Sequence, residues 1–426
     1  MKRIWLLSLL VFVLALPAFA TFRVGYAERD ITPEEPMPMW GYAARRDALS
    51  EGVLDRLYAK AVVIDVGADK LALVGLDLGR GPTDAMMREI RAAVKSASGV
   101  NWVLISGSHT HHGPVIELLD EPGRGQDKFD YAVAYAKALP GKIIDAINEA
   151  AAGTVDARMG WGSRETDLNR NRHTKKQPKP RDPELAVVRF DDLQGQPIAL
   201  MVNFAAHATI HDEKDLRFTS EWPGHMQMSV EGRMPAHCFF MQGAAGDMSP
   251  NTNEQRRGID GFGKAMADVV LEIAQGIQTR VPERPDIRGM EEQFAFPMRI
   301  QIDTPVVRGA FKMAFFPELV EAMMAEFAGN MIRPSVTTML LNHELALVSG
   351  SGEFFCQHAN RLKRESKAPE TLWIGYCNGH HMYFPTREAI EEGGYGADPV
   401  VSWVPPGCGE DLITKALANI ETLMAP

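Results

Sequence analysis

Short, largely apolar runs recur along the chain, and many of them break into polar loops containing glycine. The runs at 59–66, 70–76, 101–106, 184–190, 198–204, 238–242, 337–348 (one or two strands) and 371–376 have strand length. Several are apolar throughout, which predicts burial on both faces. Helical spacing separates them: Met87, Ile90 and Val94 fall on one side of 83–96, with Asp84 near its start. Residues 129–151, 262–277 and 411–424 have the same character, and 353–365 begins a helix. This alternation predicts an α/β protein with a mixed β-sheet core flanked by helices on both faces.

The loops after the strands carry the unusual chemistry. The run 102–105 leads into Ser108-His109-Thr110-His111-His112-Gly113-Pro114, which holds three of the chain's twelve histidines. Imidazole is a common zinc ligand, and His109 and His111 can face one metal if the backbone between them stays extended. A solvated, histidine-rich turn is the plainer alternative. The run 198–204 leads to His207 and His211. The run 239–242 leads to Gly243-Ala244-Ala245-Gly246-Asp247-Met248-Ser249, where Gly243 and Gly246 allow the backbone to approach a substrate. Residues 345–348 lead to Gly352-Glu353, and 372–376 to Asn378, His380, His381 and Tyr383.

Taken singly, each has an ordinary explanation. His207 fits a core histidine, Glu353 a first-turn carboxylate, Tyr383 a packing tyrosine, Asp247 a turn residue and Ser249 a helix cap. His211 and His225 have no evident partner and read as structural. Gathered at one sheet edge, the loops instead form a candidate site at the carboxyl ends of strands.

Composition narrows the class. The formal net charge is −10, and two units more negative without Lys2 and Arg3, which argues against a nucleic-acid partner or simple electrostatic docking to anionic membranes. Lys2 and Arg3 precede an apolar run from Ile4 to Leu16 and an Ala18-Phe19-Ala20 cleavage pattern. Residues 1–20 are therefore expected to be a signal peptide that exports the mature chain to a periplasmic or extracellular space. No later stretch has the roughly 18 uninterrupted apolar residues of a transmembrane segment. Cys238, Cys356, Cys377 and Cys408 allow three disulfide pairings or four free buried thiols. Segment 281–336, rich in Pro, Met and Phe, reads first as a Met-rich core helix and second as a helical insert shaping a substrate groove.

Six segments together resemble the signatures of the neutral/alkaline non-lysosomal ceramidase family. They are 108–114, 246–251, Gly352-Glu353-Phe354, Asp30-Ile31-Thr32-Pro33, Asn203-Phe204-Ala205-Ala206-His207 and Tyr383-Phe384-Pro385-Thr386-Arg387-Glu388, in the family's order. The resemblance implies a zinc held by His109, His207, Glu353 and Tyr383. It implies that His111 faces the substrate, that Ser249 is the family's essential serine, and that Arg170 and Tyr395 stand near the reacting centre. Three departures qualify it. No room remains after Pro426 for the family's C-terminal immunoglobulin-like domain, so 21–426 is expected to be a single catalytic domain. His112 stands where ceramidases have a small serine, and Asn378-Gly379-His380-His381 replaces a tyrosine-containing segment. The zinc centre survives these changes, whereas ceramide specificity does not follow.

The implied activity is hydrolysis of an N-acyl amide, with ceramide one candidate, by a zinc-activated water. His111, Tyr395 and Arg170 would share carbonyl polarisation and proton transfer, and Ser249 would orient the water or the carbonyl. A nucleophilic Ser249 is the rival mechanism, although its segment lacks the Gly-x-Ser-x-Gly elbow. Competing functions are a related zinc hydrolase with a non-ceramide substrate and a non-catalytic exported zinc- or ligand-binding protein. A lipid amide substrate would bring transient contact with a membrane surface.

Overall fold

A computed structural model describes residues 21–425, so the expected signal peptide lies outside the described residues. Eight strands form the larger sheet: β1 (Arg23–Asp30), β2 (Tyr58–Asp65), β3 (Lys70–Leu76), β4 (Trp102–Gly107), β5 (Val155–Glu165), β6 (Glu184–Asp192), β7 (Pro197–Phe204) and β8 (His237–Gln242). Their order is β8-β7-β6-β5-β1-β2-β3-β4. Neighbours run antiparallel except the pairs β3–β4 and β7–β8. A second sheet holds β9 (Ile287–Gln293), β10 (Ser335–Leu341), β11 (Leu345–Gly350) and β12 (Glu370–Ile374) in that order, with β11–β12 parallel.

The two sheets pack face to face, which corrects the expectation of one sheet covered by helices on both sides. The period of two along each strand sorts its residues. Val62 and Ile64 of β2 and Leu71 and Leu73 of β3 join Met339, Leu347 and Leu372 of the second sheet in one buried cluster. Ala61, Val63, Ala72 and Val74, alternating with them, pack instead under α1 (Asp84–Ser98) and α2 (Asp130–Ala152). Thr83 caps the start of α1 by accepting from the Met86 N–H, and Gly99 ends it in the left-handed conformation (φ 72°).

Helices α3 (Glu221–Glu231) and α4 (Gly258–Gly276) cover β6 to β8 on the same outer face. Segment 281–336 supplies β9 and two short helices, α5 (Pro305–Ala314) and α6 (Pro317–Glu326), each opened by a proline. α7 (Cys356–Glu365), α8 (Arg387–Glu392) and α9 (Cys408–Met424) contribute to the core outside the second sheet. The result is helix–sheet–sheet–helix layering. All four cysteines are free and buried. Among the described residues no helix is long and apolar enough to cross a membrane.

Candidate metal centre

Loops leaving β4, β7, β11 and β12 meet between the two sheets. The junction is stitched by backbone: the Gly375 N–H donates to Gln242 O at 2.8 Å, and the Asn378 side chain clamps β4 through Ile105 N (2.9 Å) and Val103 O (2.8 Å). His109 stands at φ 65°, so the backbone there is not extended as alternate-residue ligation supposed. The left-handed turn nevertheless brings His111 Nε2 within 3.3 Å of His109 Nε2. Ligand nitrogens of His109, His111 and His207 all lie within 4.8 Å of one another.

Hydrogen bonds set the tautomers. His109 Nδ1 is 2.7 Å from Gly79 O, and His207 Nδ1 is 2.7 Å from Ala245 O. A carbonyl only accepts, so Nδ1 carries a proton in both rings, and in the ligating form each Nε2 would present a lone pair to the centre. Glu353 Oε2 faces these two Nε2 atoms at 3.4 and 3.3 Å. The Tyr383 hydroxyl is 3.3 Å from His207 Nε2. Lone pairs gathered in this way repel unless a cation sits among them, and two imidazoles, a carboxylate and a phenol oxygen suit zinc. One cation is already present: Arg172 Nη2 lies 2.7 Å from His207 Nε2 and donates to the Tyr383 hydroxyl at 3.1 Å. His111 Nδ1 is buried without a hydrogen-bond partner.

Electrostatics match that donor set. Burial, aided by Arg172, pushes His207 down to about 3 and keeps it in the neutral, ligating form. Burial likewise holds His111 well below the ordinary imidazole range. Burial works to raise Glu353, but His109 and its fellow imidazoles overcome it and hold the carboxylate well below its usual range. Tyr383 is driven upward by burial and by Glu353.

Glu353 lies on the two-residue strand Glu353–Phe354, paired in parallel with Tyr383–Phe384, instead of in the first turn of a helix. α7 begins three residues later, where Asp247 Oδ1 accepts from Cys356 N at 2.7 Å. Asp247 is thus a remote cap for that helix. A Cβ at 246 would fall 2.5 Å from Glu353 O, and one at 243 would fall 2.9 Å from Ala205 N. These glycines admit the protein's own backbone, where substrate was expected.

An apolar cleft opens over the group. Its floor includes His111, Glu353, His380 and Tyr383. Phe315, Phe316, Leu319, Met323 and Phe327, all from the α5–α6 segment, line it opposite Trp40. The insert therefore builds groove wall as well as core. Trp40 meets the rings of His109, His111 and His380 edge-on at 5.1, 5.4 and 5.6 Å. Arg80 and Glu117, 3.3 Å apart, add a charged patch to the wall.

The remaining expected residues fall at different distances from this centre. Tyr395 is 62% exposed at the cleft rim, its ring 5.6 Å from that of Tyr383. Ser249 is half-buried on a ribbon, Met248–Pro250 against Asn169–Asn171, where it lies opposite Arg170. Alternation along that ribbon buries Asn169 and Asn171 and leaves Arg170 exposed. The guanidinium at the centre belongs to Arg172, where the chain leaves the ribbon. His112 Nε2 pairs with Arg45 Nη2 at 2.6 Å, and that arginine also donates to His111 O. His211 contacts Asp215 at 3.0 Å, and His225 contacts Asp55 at 3.2 Å. Arg172, Tyr376 and Trp40 went unremarked in the sequence because no spacing rule marks them; proximity of Arg172 to Arg170 was the one available signal.

Fold and site together define a four-layer α/β protein with a candidate metal centre at strand ends. The chain belongs to the neutral/alkaline non-lysosomal ceramidase family, whose N-terminal description matches residues 22–262, more than half of the chain. A neutral ceramidase of Drosophila pseudoobscura pseudoobscura is 26% identical over 274 residues, covering 57% of this chain and 38% of that protein. One from Oryza sativa subsp. japonica is 26% identical over 231 residues, covering 49% and 29%. The matched stretches thus span well under half the length of these relatives. The crystal structure of neutral ceramidase from Pseudomonas aeruginosa shares the fold, with a TM-score of 0.76 and 19% identity over 95% of this chain and 75% of that one.

Proposed function

We propose that this chain is a zinc-dependent hydrolase of N-acyl amides, with ceramide-type lipid amides as its substrate class. The observation that carries the proposal is the convergence of His109 and His207 on Glu353 and Tyr383, two residues of the floor of an apolar cleft. Bound by these four, zinc would polarise the scissile carbonyl and acidify water. Hydrolysis adds hydroxide to the acyl carbon and a proton to the leaving nitrogen, giving a carboxylic acid and an amine.

The chain's own groups divide this work. His111, neutral and facing the group through Nε2, relays the proton. Arg172 takes the charge-stabilising role that the resemblance attached to Arg170, with the Tyr395 hydroxyl at the rim. Ser249 orients water or carbonyl. A nucleophilic Ser249 lacks support, since among the described residues no imidazole is hydrogen-bonded to its hydroxyl. The apolar walls receive an acyl or sphingoid chain and exclude water. The pattern across residues 1–20 supports export. Arg80 and Glu117 favour a second reading, the same scaffold acting on an amide with a polar substituent.

Metal content and turnover of a fluorescent ceramide, measured for the wild type and His207→Ala, test both. About one zinc per chain, lost with activity in the variant, is expected. Zinc without ceramide cleavage would redirect the search to other amides. No zinc would overturn the ligand set.

A further inference from the structure

We propose that His380 is the positioning residue that locks the Glu353 carboxylate toward the metal centre, a role that rests on the zinc reading above. The two oxygens of this buried carboxylate have separate surroundings. Oε2 faces His109, His207 and the Tyr376 hydroxyl at 3.4, 3.3 and 3.4 Å. Oε1 faces His380 Nε2 at 3.2 Å, and among the described residues this is its hydrogen-bond partner. An ionised carboxylate only accepts, so Nε2 carries the proton and donates it. Without that donor Oε1 has no hydrogen bond to hold it, and the orientation of the carboxylate rests on the contacts of Oε2 alone.

The imidazole is itself held. Its ring packs edge-on against Trp40 at 5.6 Å, and it is 4% exposed. Two residues earlier, Asn378 pins the loop to β4, and one residue later the His381 N–H donates to Ser351 O at 2.9 Å. The larger sheet therefore orients a ligand that the smaller sheet supplies. Hydrogen bonds behind metal ligands fix their orientation, and their loss typically weakens metal binding by about 10- to 100-fold.

The test is zinc affinity of the full chain, by competition with a chromophoric chelator, for wild type, His380→Leu and His380→Gln. Leucine keeps bulk without a donor, whereas glutamine places an amide N–H near the position of Nε2. Expected are about 10- to 100-fold weaker binding for H380L and, for H380Q, binding within about threefold of wild type. An H380L that folds and binds zinc as tightly as wild type overturns the proposal and leaves the metal centre standing. Should H380L not fold, His380→Asn, too short to reach Oε1, replaces it with the same two outcomes. Wild type that binds no zinc would overturn the centre and this proposal together.

Discussion

His109 and His207 lie in loops that follow strands of the eight-stranded sheet, inside the stretch that matches the family, whereas Glu353, Tyr383 and His380 follow strands of the second sheet, beyond it. The two regions hold their donors differently. Each histidine is locked by a backbone carbonyl of its own region, Gly79 O or Ala245 O. The oxygen donors lean across the boundary: Gly246 lies against the Glu353 backbone, Arg172 against the Tyr383 hydroxyl, and Asn378 against β4. The nitrogen half of the centre is thus set by local folding, and the oxygen half by how the two sheets dock.

Removing one ligand from each region breaks the comparison most directly. His207→Ala and Glu353→Ala should each lower amide turnover by about a thousandfold or more and strip the zinc. Zinc retained at wild-type affinity by Glu353→Ala would mean that the second region is dispensable to the centre. Next in size is the pair of arginines. Arg172→Ala should lower kcat by about a hundredfold, as loss of a charge-stabilising donor does, against less than about threefold for Arg170→Ala. A reversed ranking would return the role to the ribbon.

A smaller effect belongs to the cleft. Leu319→Gln should raise KM about tenfold for a long-acyl substrate and leave a short-acyl analogue unchanged, since burial of one such side chain is worth about 1.5–3 kcal/mol. Equal effects on both substrates would detach the insert from chain recognition. Zinc removal should cost stability as well: with zinc at a hundredfold its Kd, chelation withdraws about 2.7 kcal/mol, read as a drop of a few degrees in Tm. Because the metal would bridge the docked halves, protection from proteolysis should fall most in the loops after β11 and β12.

A last comparison sets two buried carboxylates side by side. Burial, joined by the Asp55 charge, pushes Asp77, in the first region, up to about 7, while imidazoles hold Glu353 down. Folded Asp77 keeps a proton that the unfolded chain releases near pH 4. Its contribution is therefore full below that pH and is lost as pH rises through 7, at no more than about 1.4 kcal/mol per pH unit. Asp77→Asn should gain stability relative to wild type as pH rises from about 4 to about 7, read from urea midpoints. A difference independent of pH would place the proton elsewhere.

Much of this architecture was legible in the sequence, for identifiable reasons. Strands such as β2 and β3 declare themselves because both faces are apolar, and α1 because its apolar spacing and the acid near its start agree. The same double-sided apolarity concealed the layering, since Val62 against a sheet and Val63 against a helix look alike in one dimension. α3 was overlooked because Pro223 and Gly224 in its first turn resemble loop, although proline is tolerated there. The histidines were legible from their clustering, whereas Arg172 was not: its place depends on where a three-residue ribbon ends.

The backbone at His109 has a consequence for descent. A residue at φ 65° sits where glycine is preferred by about 1 kcal/mol, so the main chain at this position favours a residue with no side chain at all. The imidazole persists there against the conformational preference of its own backbone. Drift after loss of the proposed activity would run toward glycine, easing the fold as it erased the proposed donor. In a lineage of such proteins, glycine at 109 would date the branch on which the centre fell out of use.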